Sequence, residues 1–335
     1  MQAGKNILIN VLKMTFVALL LWWMAASGRL SWSQMAIILN RPDALAASVA
    51  VWLFGPVLLG TARWWLLMRG AGLKCGYFRA MKLQLVGFFF NTAMPGAVGG
   101  DIIKAIYIMR EQPAGGGKTP AMLSVLLDRI VGLIGLFVMG VVAAGFSYRQ
   151  LVSNPVTAQL MSGLALVVLL SAVFLGLVFL PYPDGRDPFK KILSQTLPGF
   201  SVLHGIYEAL RSYRKKPGIL ISTIMISVFI QVIFLFFMGF IGRIMYGSDA
   251  FDQTLLAPIF PFGILITAIP LAPGGLGVGH AAFDKLFALV GLPGGANVFN
   301  AYVLSQLLLN FLGIIPYLSM KTSIAGTSPD QVQVI

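Results

Sequence analysis

Two stretches of the sequence interrupt long apolar segments in the same way, and they decide the fold. The first reads FFFNTAMPGAVGGD at residues 88–101, and the second reads TAIPLAPGGLG at residues 267–277. An offset of 175 residues aligns the threonine, the proline and the glycine pair of the two stretches: Thr92 with Thr267, Pro95 with Pro270, and Gly99-Gly100 with Gly274-Gly275. This shared spacing predicts an internal repeat.

Each interrupted segment is predicted to form a helical hairpin. The segments cover residues 81–110 and 255–291, and each half has only about 12–15 residues, too few to cross a bilayer. Proline removes a helical hydrogen bond and paired glycines weaken the helix. We therefore expect re-entrant hairpins, whose freed backbone groups are buried in protein or face a wet cavity. The alternatives are two kinked full-length helices, or hairpins that only fill the core.

The composition places the rest of the chain in a membrane. Of its 335 residues, 58% are hydrophobic and 10% are charged, and the mean hydropathy is +0.86. Soluble domains are about 25% charged, so a soluble enzyme is excluded, as are coiled-coil, collagen-like and disordered chains. Six further apolar runs are long enough to span a bilayer. They lie at about 7–27, 44–68, 121–146, 158–180, 219–246 and 297–320.

The basic residues set the expected orientation of this all-α polytopic membrane protein. With the N-terminus in the cytoplasm, 17 of the 24 lysines and arginines fall on the cytoplasmic side and 5 on the other, while Arg63 and Arg129 lie within spans. Such a bias is typical of membrane helices. The two hairpins then enter from opposite sides. We therefore predict an inverted repeat, about 7–146 and about 158–320, which is a transporter architecture.

We expect one integral membrane domain over residues 1–325, followed by a flexible tail at 326–335. The domain is expected in the cytoplasmic (inner) membrane, with both termini cytoplasmic.

The loop 181–217 contains an amphipathic stretch at about 199–216, which is predicted to form a helix on the inner leaflet. Its apolar residues are expected to face lipid: Phe200, Leu203, Ile206, Tyr207 and Leu210. A helix packed on the bundle is the alternative.

Ionisable residues inside the bilayer are functional candidates, because charge is costly there. They are Arg63, Asp101, Lys104, Asp128, Arg129, His280, Asp284 and Lys285. Asp101 begins the returning half of the first hairpin, where it either orders a site, caps the helix, or does both. Lys104 lies on the same face of this helix, three residues later. Asp128 and Arg129 diverge by about 100° and should reach different partners. A structural pair of Arg129 with Asp101 competes with direct substrate contact.

The predicted half-helix starts favour an anion. Gly99-Gly100 and Gly274-Gly275, the latter after Pro273, are expected to expose unpaired N–H groups and a positive dipole end, which suit phosphate. Other polar residues are expected to line a cavity or bridge helices. They are Asn91, Thr92 and Gln306. His280 is either a proton carrier or a histidine held by a neighbouring carbonyl.

The sequence carries no signature of catalysis, of a metal or of a cofactor. Cys75 is the only cysteine and the chain has two histidines, too few for a cysteine- or histidine-rich metal site. The stretch 115–119 ends like a phosphate-binding loop, but Gln112 stands at its first glycine position and no strand precedes it. We expect neither an enzyme nor a nucleic-acid-binding protein. The net charge of +13 is assigned to the helix ends at the membrane.

Three motifs follow one another along the chain: Asn91-Thr92 to Asp101, Asp128-Arg129-x-x-Gly132-Leu133, and Pro270-x-x-Pro273-Gly274-Gly275-Leu276-Gly277-Val278. With Arg63-Trp64 through Gly72, they resemble the lysylphosphatidylglycerol synthase transmembrane, or flippase-like, family over roughly residues 10–320. The resemblance implies a bacterial or archaeal multipass membrane protein associated with lipid translocation.

In bifunctional members of that family, a membrane domain flips aminoacylated phosphatidylglycerol and a soluble domain makes it. Because the 335 residues end after the membrane domain, we expect no synthase domain and no transferase activity here. The family pattern has an acidic residue at the position of His280. A role for such a carboxylate is therefore not carried over to this chain.

These observations favour a lipid transporter. A phospholipid or polyprenyl-phosphate-linked headgroup would sit between the hairpin tips, held by the Gly-Gly starts, Lys104 and Arg129, while its tails stay in lipid. The expected partners are therefore membrane lipids with an anionic or phosphate-bearing headgroup. Two alternatives remain. One is a non-transporting partner that docks a lipid- or glycan-synthesis enzyme through the loop 181–217, and the other is a membrane-embedded enzyme acting on lipid headgroups.

Overall fold

The computed structural model describes residues 40–93, 99–112, 118–146, 148–149, 155–180, 187, 200–267 and 277–319. The chain is mostly helical in these ranges and forms no strand in them. In chain order the helices are α1 Pro42–Gly70, α2 Tyr77–Ala93, α3 Gly99–Glu111, α4 Lys118–Phe146, α5 Pro155–Phe179, α6 Phe200–Ser212, α7 Pro217–Tyr246, α8 Gln253–Thr267, α9 Val278–Leu289 and α10 Gly295–Ser319.

Five of these helices are long and apolar enough to cross a membrane, namely α1, α4, α5, α7 and α10. They agree with five of the six predicted spans. The predicted first span, about 7–27, and the tail at 326–335 lie outside the described residues. The all-helical membrane fold is therefore confirmed, and the count of six spans stays a prediction.

Contacts between helix ends define two ends of the bundle. At one end, which we call the basic end because Arg69, Arg214 and Lys215 lie there, the end of α1 lies beside the start of α7. The Tyr213 hydroxyl donates a hydrogen bond to the carbonyl oxygen of Leu67 at 2.5 Å. At the opposite end, Asn297 donates to the Tyr246 hydroxyl at 2.9 Å, so the end of α7 lies beside the start of α10.

Helices α2 and α3 form an antiparallel hairpin that opens at the basic end. Near its mouth the Arg79 Nε donates to Glu111 at 2.9 Å, and further along Lys104 donates to Gln84 at 3.1 Å. Closer to the tip, Gly100 packs so tightly against the backbone of Gly87 that a Cβ atom at Gly100 would overlap the Gly87 carbonyl group. Two antiparallel helices thus flank the predicted break of the segment 81–110, with bounds a few residues wider.

Helices α8 and α9 form a second antiparallel pair, which opens at the opposite end. The Phe283 ring fills the space beside Gly263, and Thr267 lies against Gly279 with the Phe299 ring close by. The two hairpin tips, residues 94–98 and 268–276, lie outside the described part of the chain. Re-entry into the membrane and the inverted repeat therefore stay predictions, while the two hairpins and their opposed mouths are observed.

Helix α1 widens into a π-helix over Leu53–Leu59, around Pro56. Proline has no N–H to donate and its ring crowds the preceding turn, so a wider turn relieves both constraints. The Tyr77 hydroxyl donates to the carbonyl oxygen of Leu58 at 3.0 Å, which ties the π-helical segment to the first hairpin.

The amphipathic helix α6 confirms the predicted stretch but not its predicted orientation. Tyr207 and Leu210 are each 1% exposed and pack against the bundle, so the prediction that these two side chains face lipid is wrong. Periodicity alone does not distinguish lipid from protein as the apolar partner.

Tyr213, just beyond this helix, fits against Gly70. Burial raises the pKa of its hydroxyl, which stays protonated and donates its hydrogen bond.

We predict that Gly100→Ala destabilises the protein by at least about 2 kcal/mol, because the buried carbonyl of Gly87 has no room to move away. Thermal unfolding in detergent measures the change. Gly163→Ala on α5 is the matched control: nothing lies near the added methyl group, so helix propensity should leave the protein unchanged or slightly more stable. Equal melting temperatures of the two variants would contradict the packing assigned to this hairpin.

Candidate functional site

A cavity of about 270 Å³ lies inside the helix bundle beside the first hairpin. Side chains from α1, α2, α3, α4, α7 and α10 line it, and Ile264 of α8 adds a contact from the second hairpin. Its polar lining is Arg63, Gln84, Asn91, Asp101, Lys104, Asp128, Arg129, Gln231, Tyr302 and Gln306. Six residues predicted from the sequence to bind substrate are thus brought together around one space, and Gln306 lines it as expected.

The Asp101 carboxylate is shared by two cations. Its Oδ1 lies 2.9 Å from the Lys104 Nζ, one helical turn away, and its Oδ2 accepts from the Arg129 Nε. Lys104 also donates to Gln84 and lies 4.9 Å from the centre of the Trp64 ring. The structural pair of Arg129 with Asp101, stated above as an alternative to substrate contact, is therefore present. Because Asp101 lies on α3 and Arg129 on α4, the pair joins the hairpin to a spanning helix.

A second ion pair joins α1 to α4. The Arg63 Nε and Nη2 donate to the two oxygens of Asp128 at 2.7 and 3.1 Å, and Nη1 donates to the Ser227 hydroxyl on α7 at 3.0 Å. Gly132 leaves the space that the guanidinium fills. Asp128 and Arg129 thus have different partners, as their divergence on the helix predicts.

The charges around the cavity do not cancel. Three cationic side chains face two carboxylates: Arg63, Lys104 and Arg129 against Asp101 and Asp128. The remaining polar groups of the described lining are amides and a hydroxyl, which carry no charge. The described wall therefore has an excess of one positive charge, in surroundings where charge is poorly solvated.

Asn91 and Thr92 hold the first hairpin in place. The Asn91 Oδ1 accepts from the backbone N–H of Gly100 at 2.8 Å. Thr92 donates to the Phe88 carbonyl at 3.2 Å and accepts from Asn310 of α10 at 2.9 Å. The expectation that Gly100 presents an unpaired N–H is therefore wrong, because a side chain of the same hairpin already binds it. Gly99 is buried at the same helix start.

His280 does not belong to the described lining of the cavity. Its Nδ1 accepts from the Gly277 N–H at 3.2 Å, and Nε2 lies 3.3 Å from the amide oxygen of Asn300. The alternative of a histidine held by a neighbouring carbonyl is thus observed, and a role as a proton carrier stays a prediction. Pro273, Gly274 and Gly275 lie outside the described residues.

Part of the polar wall was not predicted from the sequence. Gln84, Gln231 and Tyr302 line the cavity, and Ser227 supports Arg63 from behind. A signal for Gln231 was available, because a glutamine in the middle of the apolar stretch of α7 needs a polar neighbour. No cluster of three potential metal-binding side chains occurs among the described residues.

Comparison with known proteins identifies the family. The profile of the lysylphosphatidylglycerol synthase TM region matches residues 10–315. The chain belongs to this family. It is similar to a UPF0104 membrane protein of Pyrococcus horikoshii, with 23% identity over 86% of this chain and 88% of the relative. It is also similar to a UPF0104 membrane protein of Methanothermobacter thermautotrophicus, with 24% identity over 85% of this chain and 89% of that relative. No solved structure gives a significant match.

For this family member we predict that Asp128→Asn is strongly destabilising, by about 3–5 kcal/mol, because it leaves the buried Arg63 guanidinium without a counter-charge. Thermal unfolding in detergent again provides the measurement. The double variant Arg63→Met with Asp128→Leu removes both charges at once and should cost much less. Asp43→Asn, in the exposed pair with Arg41, should have no measurable effect. A double variant as unstable as Asp128→Asn would contradict this interpretation.

Proposed function

We propose that the protein transports a lipid with an anionic, phosphate-bearing headgroup across the cytoplasmic membrane. The observation that carries the proposal is the cavity with an excess of one cation, between a hairpin and the spanning helices. The cavity accommodates a headgroup, and the lipid tails would stay in the surrounding bilayer. Membership of the lysylphosphatidylglycerol synthase TM region family supports a role in lipid chemistry.

The net charge of the cavity favours a phosphodiester over a neutral or cationic headgroup. Three cations and two carboxylates give the described wall a formal charge of +1, which attracts an anion. A phosphodiester carries one negative charge, so its entry would bring the described wall to neutrality. The amides of Gln84, Gln231 and Gln306 provide donors and acceptors for the hydroxyl groups of a headgroup.

Arg129 is the cation best placed to bind the phosphate. Its side chain is 39% exposed, whereas the side chains of Arg63 and Lys104 are 12% and 6% exposed. Arg63 already uses three nitrogens on Asp128 and Ser227. If the phosphate draws Arg129 away from Asp101, the carboxylate keeps Lys104 as its partner. The exchange therefore leaves no buried charge alone, which is the condition for a reversible binding step.

Movement of one half of the chain against the other would open the cavity to alternate sides. The charged residues of the cavity lie before residue 146, whereas Gln231, Tyr302 and Gln306 follow residue 158. The first half would hold the phosphate, and the second half would form the uncharged wall that closes over it. Rocking of two repeats around a site between them is the general transport mechanism of such architectures.

We predict that Arg129→Gln lowers lipid transport at least about tenfold, since it removes a charge-assisted hydrogen bond to the phosphate. Transport is measured in vesicles reconstituted with the full chain, as the movement of fluorescent phosphatidylglycerol between leaflets. Arg129→Lys keeps the charge and should retain part of the rate. Arg110→Gln removes an exposed arginine at the end of α3, and should leave transport unchanged.

The same vesicles distinguish the competing functions. Transport of phosphatidylglycerol but not of phosphatidylcholine agrees with the charge of the cavity. Mass spectra of the recovered lipid would reveal an enzyme by a changed headgroup mass. Absence of transport for phosphatidylglycerol and for polyprenyl phosphate, with or without a proton gradient, would overturn the proposal in favour of a non-transporting partner of a lipid- or glycan-synthesis enzyme.

A further inference from the structure

An apolar groove of about 440 Å³ lies between α4, α7 and the start of α8, away from the charged cavity. Its walls include Val142, Phe146, Val232 and Phe236. Three of these are strongly exposed: Val142 by 57%, Phe146 by 86% and Phe236 by 62%. The groove therefore opens on the outer surface of the bundle, where the membrane lies.

The groove has a polar rim at the opposite end of the bundle. Arg243, Gln253 and Thr254 lie there, above the apolar walls. Arg243 is exposed, and no carboxylate of the described chain forms an ion pair with it. The nearest acidic residue in the sequence, Asp249, is six positions away beyond the helix end, and the Asp252 Oδ1 accepts from the Thr254 N–H and hydroxyl at 2.8 and 2.7 Å. The rim thus presents a cation toward the groove.

The depth of the groove corresponds to one leaflet. Arg243 lies in the last turn of α7, at the level expected for lipid headgroups. Val228, the groove residue of this helix that lies farthest from Arg243, comes 15 residues earlier, which is about 22 Å along a helix axis. Half of a bilayer that includes its headgroup regions has nearly the same depth, about 20–22 Å. A cation at headgroup level above an apolar channel of leaflet depth matches an anionic phospholipid with one acyl chain in the channel.

We propose that this groove is a second lipid site, which binds an anionic phospholipid of the leaflet at the opposite end of the bundle. The Arg243 guanidinium binds the phosphate, and the walls formed by α4 and α7 hold an acyl chain. Gly239 supports the site, because its lack of a side chain lets Gln253 lie across α7 at the rim. The site does not depend on transport, since its residues are separate from the charged cavity.

Photolabelling of the full chain tests the site. The protein is reconstituted in phosphatidylcholine vesicles that contain a trace of phosphatidylglycerol with a diazirine in its acyl chain. Mass spectrometry should locate the label in the groove segments 139–146 and 228–236. Arg243→Gln should lower this labelling about fivefold, as expected when one basic residue no longer contacts an anionic headgroup. Arg243→Lys should restore most of it.

Three comparisons separate a specific site from lipid that merely surrounds the protein. Lys285→Gln removes another basic residue of the second half and should not change the labelling. Val142→Trp fills the groove at an exposed position and should abolish it. A phosphatidylcholine probe with the same diazirine should label these segments severalfold less. Equal labelling by both probes, or labelling that Arg243→Gln leaves unchanged, would overturn the proposal.

The result is also distinguishable from failure of the transport proposal. Arg129→Gln, which should impair transport, leaves Arg243 and the groove intact and should keep full labelling. Arg243→Gln should lose labelling whether or not the protein moves lipid. Loss of labelling in Arg129→Gln would show that the two sites are one, and would overturn the separate groove site.

Discussion

The structure around the cavity depends on the sharing of the Asp101 carboxylate between Lys104 and Arg129. A buried charge is tolerated only with a partner, because desolvation otherwise costs several kcal/mol. Asp101 therefore fixes the first hairpin against α4, and the pair of Arg63 with Asp128 fixes α1 against the same helix. While these pairs are formed, they resist sliding of the hairpin and the two spans past one another. The electrostatic requirement that makes the site possible also determines how the helices pack.

Residue types and spacings were sufficient to predict much of this arrangement. The three-residue step from Asp101 to Lys104 and the divergence of Asp128 from Arg129 are properties of any helix, so they could be predicted before the partners were known. The pairing of Arg63 with Asp128 depends on how distant segments cross. Local patterns hold no such information. The hairpin bounds and five of the spans were predictable, because hydropathy and proline–glycine breaks are local properties of the sequence.

Other features could not be predicted because one pattern has two physical causes. Tyr207 lies on the apolar side of an amphipathic helix, which serves equally for a lipid surface and for a protein surface, and the structure shows the second. Gly100 follows a helix break, where glycine either exposes an N–H to an anion or permits close packing. Here it packs against Gly87 and its N–H binds Asn91. The choice depends on what lies opposite in space, which the sequence does not contain.

The two halves have similar hairpins but different chemistry. The charged residues of the described cavity wall come from the first half, while the second half contributes the amides of Gln231 and Gln306 and the hydroxyl of Tyr302. If both halves carried cations, an anion between them would be bound from both sides and released slowly. With cations on one side only, the uncharged side would move away at little electrostatic cost while the phosphate of the proposed lipid substrate stayed near Arg129. If the protein transports lipid as we propose, this asymmetry between the two halves would permit binding and opening at the same site.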